Sequence, residues 1–121
     1  MSLRVWRIHD PSTLGACTVF WTRSRNAAPA CNDYIVAVPK VRSSQYAIVG
    51  IYVPCAAPRK TRAGGFCIRA QRVQKCDVLW TPELRRVLGR IQAGSHPCNA
   101  RQAALIRKHV RNVCALLNKN A

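Results

Sequence analysis

The sequence predicts an α+β fold: a small, mostly antiparallel sheet with helices packed against it, plus a C-terminal helical extension. Three observations predict it. Two runs rich in Val, Ile and Tyr, Tyr34–Val38 and Tyr46–Val53, flank a short polar link, Pro39–Gln45. Residues of this type fit a pleated, half-buried surface, and so short a link favours an antiparallel hairpin. Thr81-Pro82-Glu83 reads as a helix start, with a Thr cap, Pro in the first turn and an acid beside the helix N-terminus. Finally, Ile106, Val110, Val113 and Leu117 recur at spacings of four, three and four, as one face of an amphipathic helix does. The implied division is an N-terminal extension over residues 1–16, an α+β core over 17–94 and a helical extension over 95–121.

Taken in order, MSLRVWRIHD carries Arg4 and Arg7 ahead of any acid, a faint likeness to an organelle-targeting peptide, and reads as an extension lying on a partner surface. It lacks the apolar core and cleavage site of a secretory signal. Cys17–Thr22 reads as the first strand, with Trp21 its largest apolar contribution. Arg23–Asn32 is a loop containing Pro29, Arg23 and Arg25. The hairpin follows. Neither of its runs has a clean polar face, which places it at the centre of the sheet with something packed on it. Pro39 and Pro54 close the two runs, since a residue without an N–H suits a strand end. Cys55–Gly65 holds Pro58, two glycines and Arg59, Lys60 and Arg62, too polar and broken for a regular element. Phe66–Leu79 begins as a strand and is read as finishing in a helical turn. The helix from Pro82 to about Gln92 buries Leu84, Val87, Leu88 and Ile91 and exposes Arg85, Arg86 and Arg90, with Gly94 as its stop. Asn99–Asn118 is the longest helical pattern, with Arg101, Lys108 and Arg111 on a flank away from the apolar stripe.

Charge dominates the functional reading. The chain of 121 residues has 20 Lys and Arg against 4 Asp and Glu, a formal net charge of +16. Asp10, Asp33, Asp77 and Glu83 cannot neutralise so many cations, and the fold repels itself unless a polyanion screens it. Each neutralised phosphate favours association through counterion release, so nucleic acid is the expected partner. No run reaches transmembrane length, and no basic segment has the aromatic-rich apolar face of a membrane-surface helix, so no membrane partner is expected. The cations expected at phosphates are Arg23, Arg25, Lys40, Arg42, Arg59, Lys60, Arg62, Arg69, Arg72, Arg101, Lys108 and Arg111.

Enzymatic signatures are absent from the sequence. The four acids are scattered, and no phosphate-binding, dinucleotide, zinc-protease or nucleophile-elbow motif occurs. The expectation is therefore a binding protein without turnover. Seven cysteines, none in a C-x-x-C, form no recognisable zinc framework. Most are expected to behave as small hydrophobes, among them Cys17, Cys67 and Cys114. The nearest approach to metal ligands is His96-Pro97-Cys98, half of a site that another ligand such as Cys31, Cys55 or Cys76 would have to complete.

The hairpin also carries a resemblance. Tyr34-Ile35-Val36-Ala37, a basic link and then Gly50, Tyr52 and Pro54 resemble the bacterial-type small-subunit ribosomal protein S-sixteen family, whose pattern runs Tyr-Arg-Ile-Val-Val-Ala, a basic turn and Leu-Gly-Xaa-Tyr-Xaa-Pro. Arg72-Val73 matches a further step, and Thr81, Leu84, Val87 and Leu88 follow the family's last core helix. The likeness covers Cys17 to Gly94, and the tail from His96 looks like the added helix of mitochondrial members. Ile35 stands directly after Tyr34 where the family has an arginine, and Arg42-Ser43-Ser44 replaces its Arg-Asp-Gly turn. The resemblance implies a structural constituent of the mitochondrial small ribosomal subunit, in the matrix, bridging rRNA helices beside neighbouring ribosomal proteins and forming no homo-oligomer. It also implies a zinc or iron–sulfur site shared with a neighbouring subunit, for which Cys31 is the candidate. The alternatives are a free nucleic-acid-binding module stapled by metal through Cys and His, and a secreted cationic disulfide protein.

Overall fold

The computed structural model describes residues 3–8, 14–23, 34–42, 45–89 and 94–110. In chain order the elements are β1 (Leu3–Ile8), β2 (Cys17–Thr22), β3 (Tyr34–Arg42), β4 (Gln45–Pro54), β5 (Arg59–Lys60), β6 (Phe66–Leu79), α1 (Pro82–Leu88), β7 (Gly94–Pro97) and α2 (Ala100–His109). The strands form a single sheet in the order β2-β6-β4-β3-β1-β7, with β5 paired to β6. The expected hairpin is present as β3 and β4, antiparallel and at the centre of that order. Ile35, Val36, Ala37 and Val38 are fully buried, as are Ile48 and Tyr52. Both faces of the hairpin are therefore covered, which is why neither run carries a polar face.

The sheet is curled. The rings of Trp6 on β1 and Phe20 on β2 lie 4.5 Å apart, although four strand-to-strand steps separate these strands, roughly 19 Å in a flat sheet. The hollow side of this half-barrel is filled by Trp6, Phe20, Ile35, Ala37, Tyr52, Ile68 and Ala70. Phe20 meets Tyr52 edge-on at 5.6 Å, and the Tyr52 hydroxyl donates to the Gly15 carbonyl at 2.7 Å. The outer side of β1, β3, β4 and the second half of β6 is covered by α1 and α2. They bury Leu84, Leu88, Leu105 and Ile106 against Leu3, Val5, Val36 and Ile51.

The two helices start where side chains cap them. The Leu84 N–H donates to Thr81 Oγ1 at 3.2 Å. Asn99 and Gln102 form a reciprocal capping box, each side chain accepting from the other's backbone N–H. Gln102 also donates from Nε2 to the Val87 carbonyl, tying α2 to α1. Residues 90–93 and 111–121 are outside the described residues, so Ile91, Arg111, Val113, Cys114 and Leu117 receive no placement.

The expected fold class is corrected on several points. In place of a small, mostly antiparallel sheet carrying packed helices and a helical extension, the described residues form a curled, mixed, seven-stranded half-barrel with two short helices. Leu3–Ile8, expected as an extension outside the core, is a strand of the sheet; it pairs in parallel with β3 from Leu3↔Tyr34 to Ile8↔Pro39. Gly94–Pro97 adds to β1 as an antiparallel strand, and α2 packs into the outer core through Leu105 and Ile106. Phe66–Leu79 is a strand throughout, because β4 offers it a backbone partner from Pro54↔Ala70 to Ala47↔Leu79. Two register shifts in that ladder turn β6 over. Ile68 and Ala70 face the hollow, whereas Cys76 and Val78 face the helices. Buried and exposed residues nevertheless alternate without a break from Ile68 to Leu79, so the change of side leaves no mark in the sequence pattern.

Candidate nucleic-acid interface

Where α1 and α2 end, the outer face of the sheet is left open. On β2, Thr18, Phe20 and Thr22 point into the hollow, so Cys17, Val19 and Trp21 point outward. Val19 is 55% and Trp21 48% exposed. The expectation that Trp21 supplies the first strand's main apolar contribution is thus reversed, since the hollow takes Phe20 and no described element covers Trp21. Strand pairing sets cations beside these residues. Val19 is opposite Arg69, Trp21 is opposite Cys67, and Cys67 is opposite Arg59 on β5. Directly opposed side chains sit about 5 Å apart at Cβ and diagonal ones about 7–8 Å, so Trp21, Val19 and Arg69 adjoin, and Arg59 extends the same side of the sheet one strand further, beyond Cys67. Arg59, Arg69 and Arg23 are exposed, and no carboxylate stands in these rows.

The loop before β6 is more ordered than its composition suggests. The Thr61 N–H donates to the Gly65 carbonyl at 2.8 Å, and the Gly64 N–H to the Thr61 carbonyl at 3.2 Å. Thr61 Oγ1 also accepts from the Gly65 N–H. Gly64 has φ +91, which L side chains rarely adopt. Gly65 is buried beneath the Trp21 indole, where an added Cβ would stand 2.6–2.7 Å from ring atoms. The Gly-Gly pair therefore closes the turn and seats the tryptophan, while Arg62 is presented at the exposed tip.

The remaining cations expected at phosphates are dispersed. Lys60, on the neighbouring position of β5, is exposed. Arg72 is half-buried on the hollow side, where its guanidinium acts on Tyr52 and opposes the rise that burial imposes on that phenol's pKa. Arg101 and Lys108 are exposed on α2, and Lys108 Nζ lies 3.7 Å from Glu83 Oε2. This exposed pair contributes little. Lys40 lies on β3 and Arg42 at that strand's end. Arg25 and Arg111 lie outside the described residues. Among those described, the Lys108–Glu83 bridge is one pair against an excess of exposed cations.

A second cluster stands at the far end of β6. Tyr46 and Trp80 rings are 5.1 Å apart, tilted by 33°, and the backbone N–H of Trp80 donates to the Tyr46 carbonyl at 3.0 Å. The Arg7 guanidinium lies 4.1 Å from the Tyr46 ring centre and 5.9 Å from that of Trp80. Its Nη1 donates to the Gly89 carbonyl at the end of α1, where a cation suits the helix dipole. Arg7, Lys40, Tyr46, Trp80 and Arg85 line a groove of about 380 Å³ that Gly89 closes. A neighbouring hollow of about 430 Å³ is lined by Trp80, Pro82, Arg85 and Arg86. The Trp80 indole N–H is buried with no acceptor. Sequence reasoning placed Arg85 and Arg86 on an exposed helix face but did not join them to Tyr46 and Trp80. That juxtaposition comes from the β4–β6 ladder and the Thr81 cap.

His96 and Cys98 lie near one another on the helix-covered side, but among the described residues no three His, Cys, Asp or Glu side chains converge as a metal site. Burial pushes the Cys98 thiol up to about 12, against the opposing pull of Arg4. It is held as a neutral thiol, whereas a metal binds the thiolate. His96 Nε2 is buried without a partner. Cys31 lies outside the described residues. Cys17, Cys55, Cys67, Cys76 and Cys98 are free thiols; Cys17 is exposed rather than packed as a small hydrophobe, because it shares the outward side of β2.

Comparison with known proteins finds no matching family model, no matching curated protein and no matching solved structure.

Proposed function

We propose that this chain is a non-enzymatic RNA-binding protein whose open sheet face lies against a folded RNA. The observation that carries the reading is the patch in which exposed Trp21 and Val19 share strand-paired rows with Arg59 and Arg69. Arginine neutralises phosphate and also stacks on bases, and an exposed indole offers a face to an unstacked base. A-form RNA is met through its shape, phosphates and 2′-hydroxyls, so cations held at fixed strand spacing suffice and no base-reading code is needed. The net charge of +16 supplies the long-range attraction.

The particle we propose is the small subunit of the mitochondrial ribosome, with rRNA and neighbouring ribosomal proteins as partners. This finer reading has a different support. The residues that carry the family resemblance, Tyr34 to Ala37 with Tyr52 and Pro54, are buried in the central hairpin. They serve packing, whereas the RNA reading rests on exposed cations. The two are tested separately.

For RNA binding, we expect Arg59→Glu combined with Arg69→Glu to weaken association and flatten its salt dependence. Losing two phosphate contacts lowers the log–log salt slope by roughly 1.4 to 1.8. An unchanged slope in titrations across salt would remove the patch from the interface. For the particle, the tagged chain is sedimented from an organelle lysate before and after RNase. Co-migration with a small ribosomal subunit that RNase abolishes is the expected result; migration as a small free species refutes the ribosomal assignment.

A further inference from the structure

The groove around Tyr46 and Trp80 is distinct from the open sheet face, and its composition narrows what could occupy it. Its walls combine two aromatic rings with Arg7, Lys40, Arg85 and Arg86, and among the described residues no carboxylate lines either hollow. An apolar peptide would bring no negative charge to Lys40, Arg85 and Arg86. A continuous duplex keeps its bases stacked inside and offers the rings only backbone. An unstacked nucleotide matches both halves of the lining, presenting a π-face to the rings and a phosphate to the cations.

Position supports the same occupant. Arg85 and Arg86 stand on the exposed side of α1, and Pro82 with Arg85 and Arg86 forms the outer wall around Trp80. The hollows of about 380 and 430 Å³ are within the size range of small-molecule sites. Arg7 is fixed by the Gly89 carbonyl and by the Tyr46 ring, so one cation and one ring are already oriented before anything binds. Such preorganisation reduces the ordering cost of association.

We propose that this groove holds one unstacked nucleotide of the bound RNA, with its base against Trp80 and Tyr46 and its phosphate at Arg85, Arg86 and Lys40. The site rests on the RNA-binding reading and specifies its mode. The open sheet face takes folded RNA by charge and shape, while the groove takes a bulged, looped or terminal nucleotide and so favours RNA that is not fully paired.

The test uses the full chain with two probes, a short single-stranded RNA carrying 4-thiouridine and a blunt duplex of equal charge. The pair Tyr46→Leu and Trp80→Leu removes both ring faces while keeping charge and apolar bulk. Single-strand affinity is expected to fall about 5- to 150-fold, with duplex affinity changing less than about twofold. Photocrosslinks of the unaltered chain are expected at Tyr46 or Trp80. Because Trp80 is part of the outer core, Arg85→Gln with Arg86→Gln on the exposed helix face provides a second variant, expected to lower single-strand affinity more than duplex affinity. Equal losses for both probes, or crosslinks confined to Trp21, would overturn the groove while leaving RNA binding intact. Competition by an acidic peptide but not by a mononucleotide would assign the groove to a protein partner and also overturn it. If neither RNA binds the unaltered chain, the RNA reading falls and the groove falls with it.

Discussion

The two ends of β6 are built from the same alternating pattern and have opposite fates. Around Cys67–Val73 the outward side chains meet solvent, and Val73 is 44% exposed. Around Cys76–Val78 the outward side chains pack under α1 and α2. The difference is the cover. A strand presents alternate residues to each side, and only the neighbouring layer determines whether one side becomes core or interface. An aromatic residue marks each end. Trp21 stands beside Arg59 and Arg69 at the open end, and Trp80 beside Arg7 and Arg85 at the covered end. The open end is suited to a broad surface and the covered end to a groove. Along an extended strand they would lie roughly 40 Å apart, room for one RNA to touch both by different means.

The contrast predicts a large asymmetry in stability. Leu84→Ala beneath the helix cover is expected to cost about 2–5 kcal/mol, because Leu84 is fully buried in the outer core. Val19→Ala at the open end is expected to shift stability by less than about 0.5 kcal/mol, as surface substitutions do. Urea unfolding midpoints measure both. Similar losses would mean that the open face is covered in the folded chain.

A smaller effect sharpens the role of Trp21. Gly65→Ala sets a methyl against the indole, which must swing from its seat. RNA affinity is expected to fall by up to the ~1–3 kcal/mol associated with a base stack. Because the ring is already half-exposed, folding stability should change far less than in Leu84→Ala. A filter-binding titration that shows full affinity would separate the indole's position from recognition.

A further effect belongs to the covered side and is seen only at alkaline pH. The Cys98 thiol is raised by burial to about 12 from an ordinary value of 9.0. In the unfolded chain it loses its proton near the ordinary value, whereas in the folded chain it keeps it. Between those values the folded state binds more protons, so stability present below about pH 9 declines as pH rises toward 12. Cys98→Ala should make this alkaline decline shallower in unfolding curves collected across that window. At pH 8 a thiol reagent should label exposed Cys17 and Cys55 in the folded chain and reach Cys98 only after denaturation.

Much of the fold was legible where local chemistry and burial agree. The central hairpin appears in sequence as two apolar runs because both of its faces are covered, and α1 is announced by Thr81-Pro82-Glu83. The helical signal from Asn99 is explained by the capping box with Gln102. Other elements lacked such agreement. Leu3–Ile8 has apolar residues on both sides, but Arg4 and Arg7 gave it the look of an extension lying on a partner surface. Its Arg4 side chain instead donates to Ser95 on β7 at 3.0 Å. Gly94–Pro97 has little local strand preference, and becomes a strand through β1. The cations Arg59 and Arg69 were visible from charge alone. The company of Trp21 was not, because exposing a tryptophan runs against the usual reading of an apolar run.

By itself the sequence determined the central hairpin, the starts of both helices and a net charge of +16, since these follow from side-chain chemistry within short windows. Tertiary structure alone decided the parallel pairing of β1 with β3, the curl that brings Trp6 onto Phe20, and which tryptophans remain accessible. Those features join residues distant in the chain. Hydrogen bonding between strands and the competition for cover choose among pairings that the local pattern permits equally well.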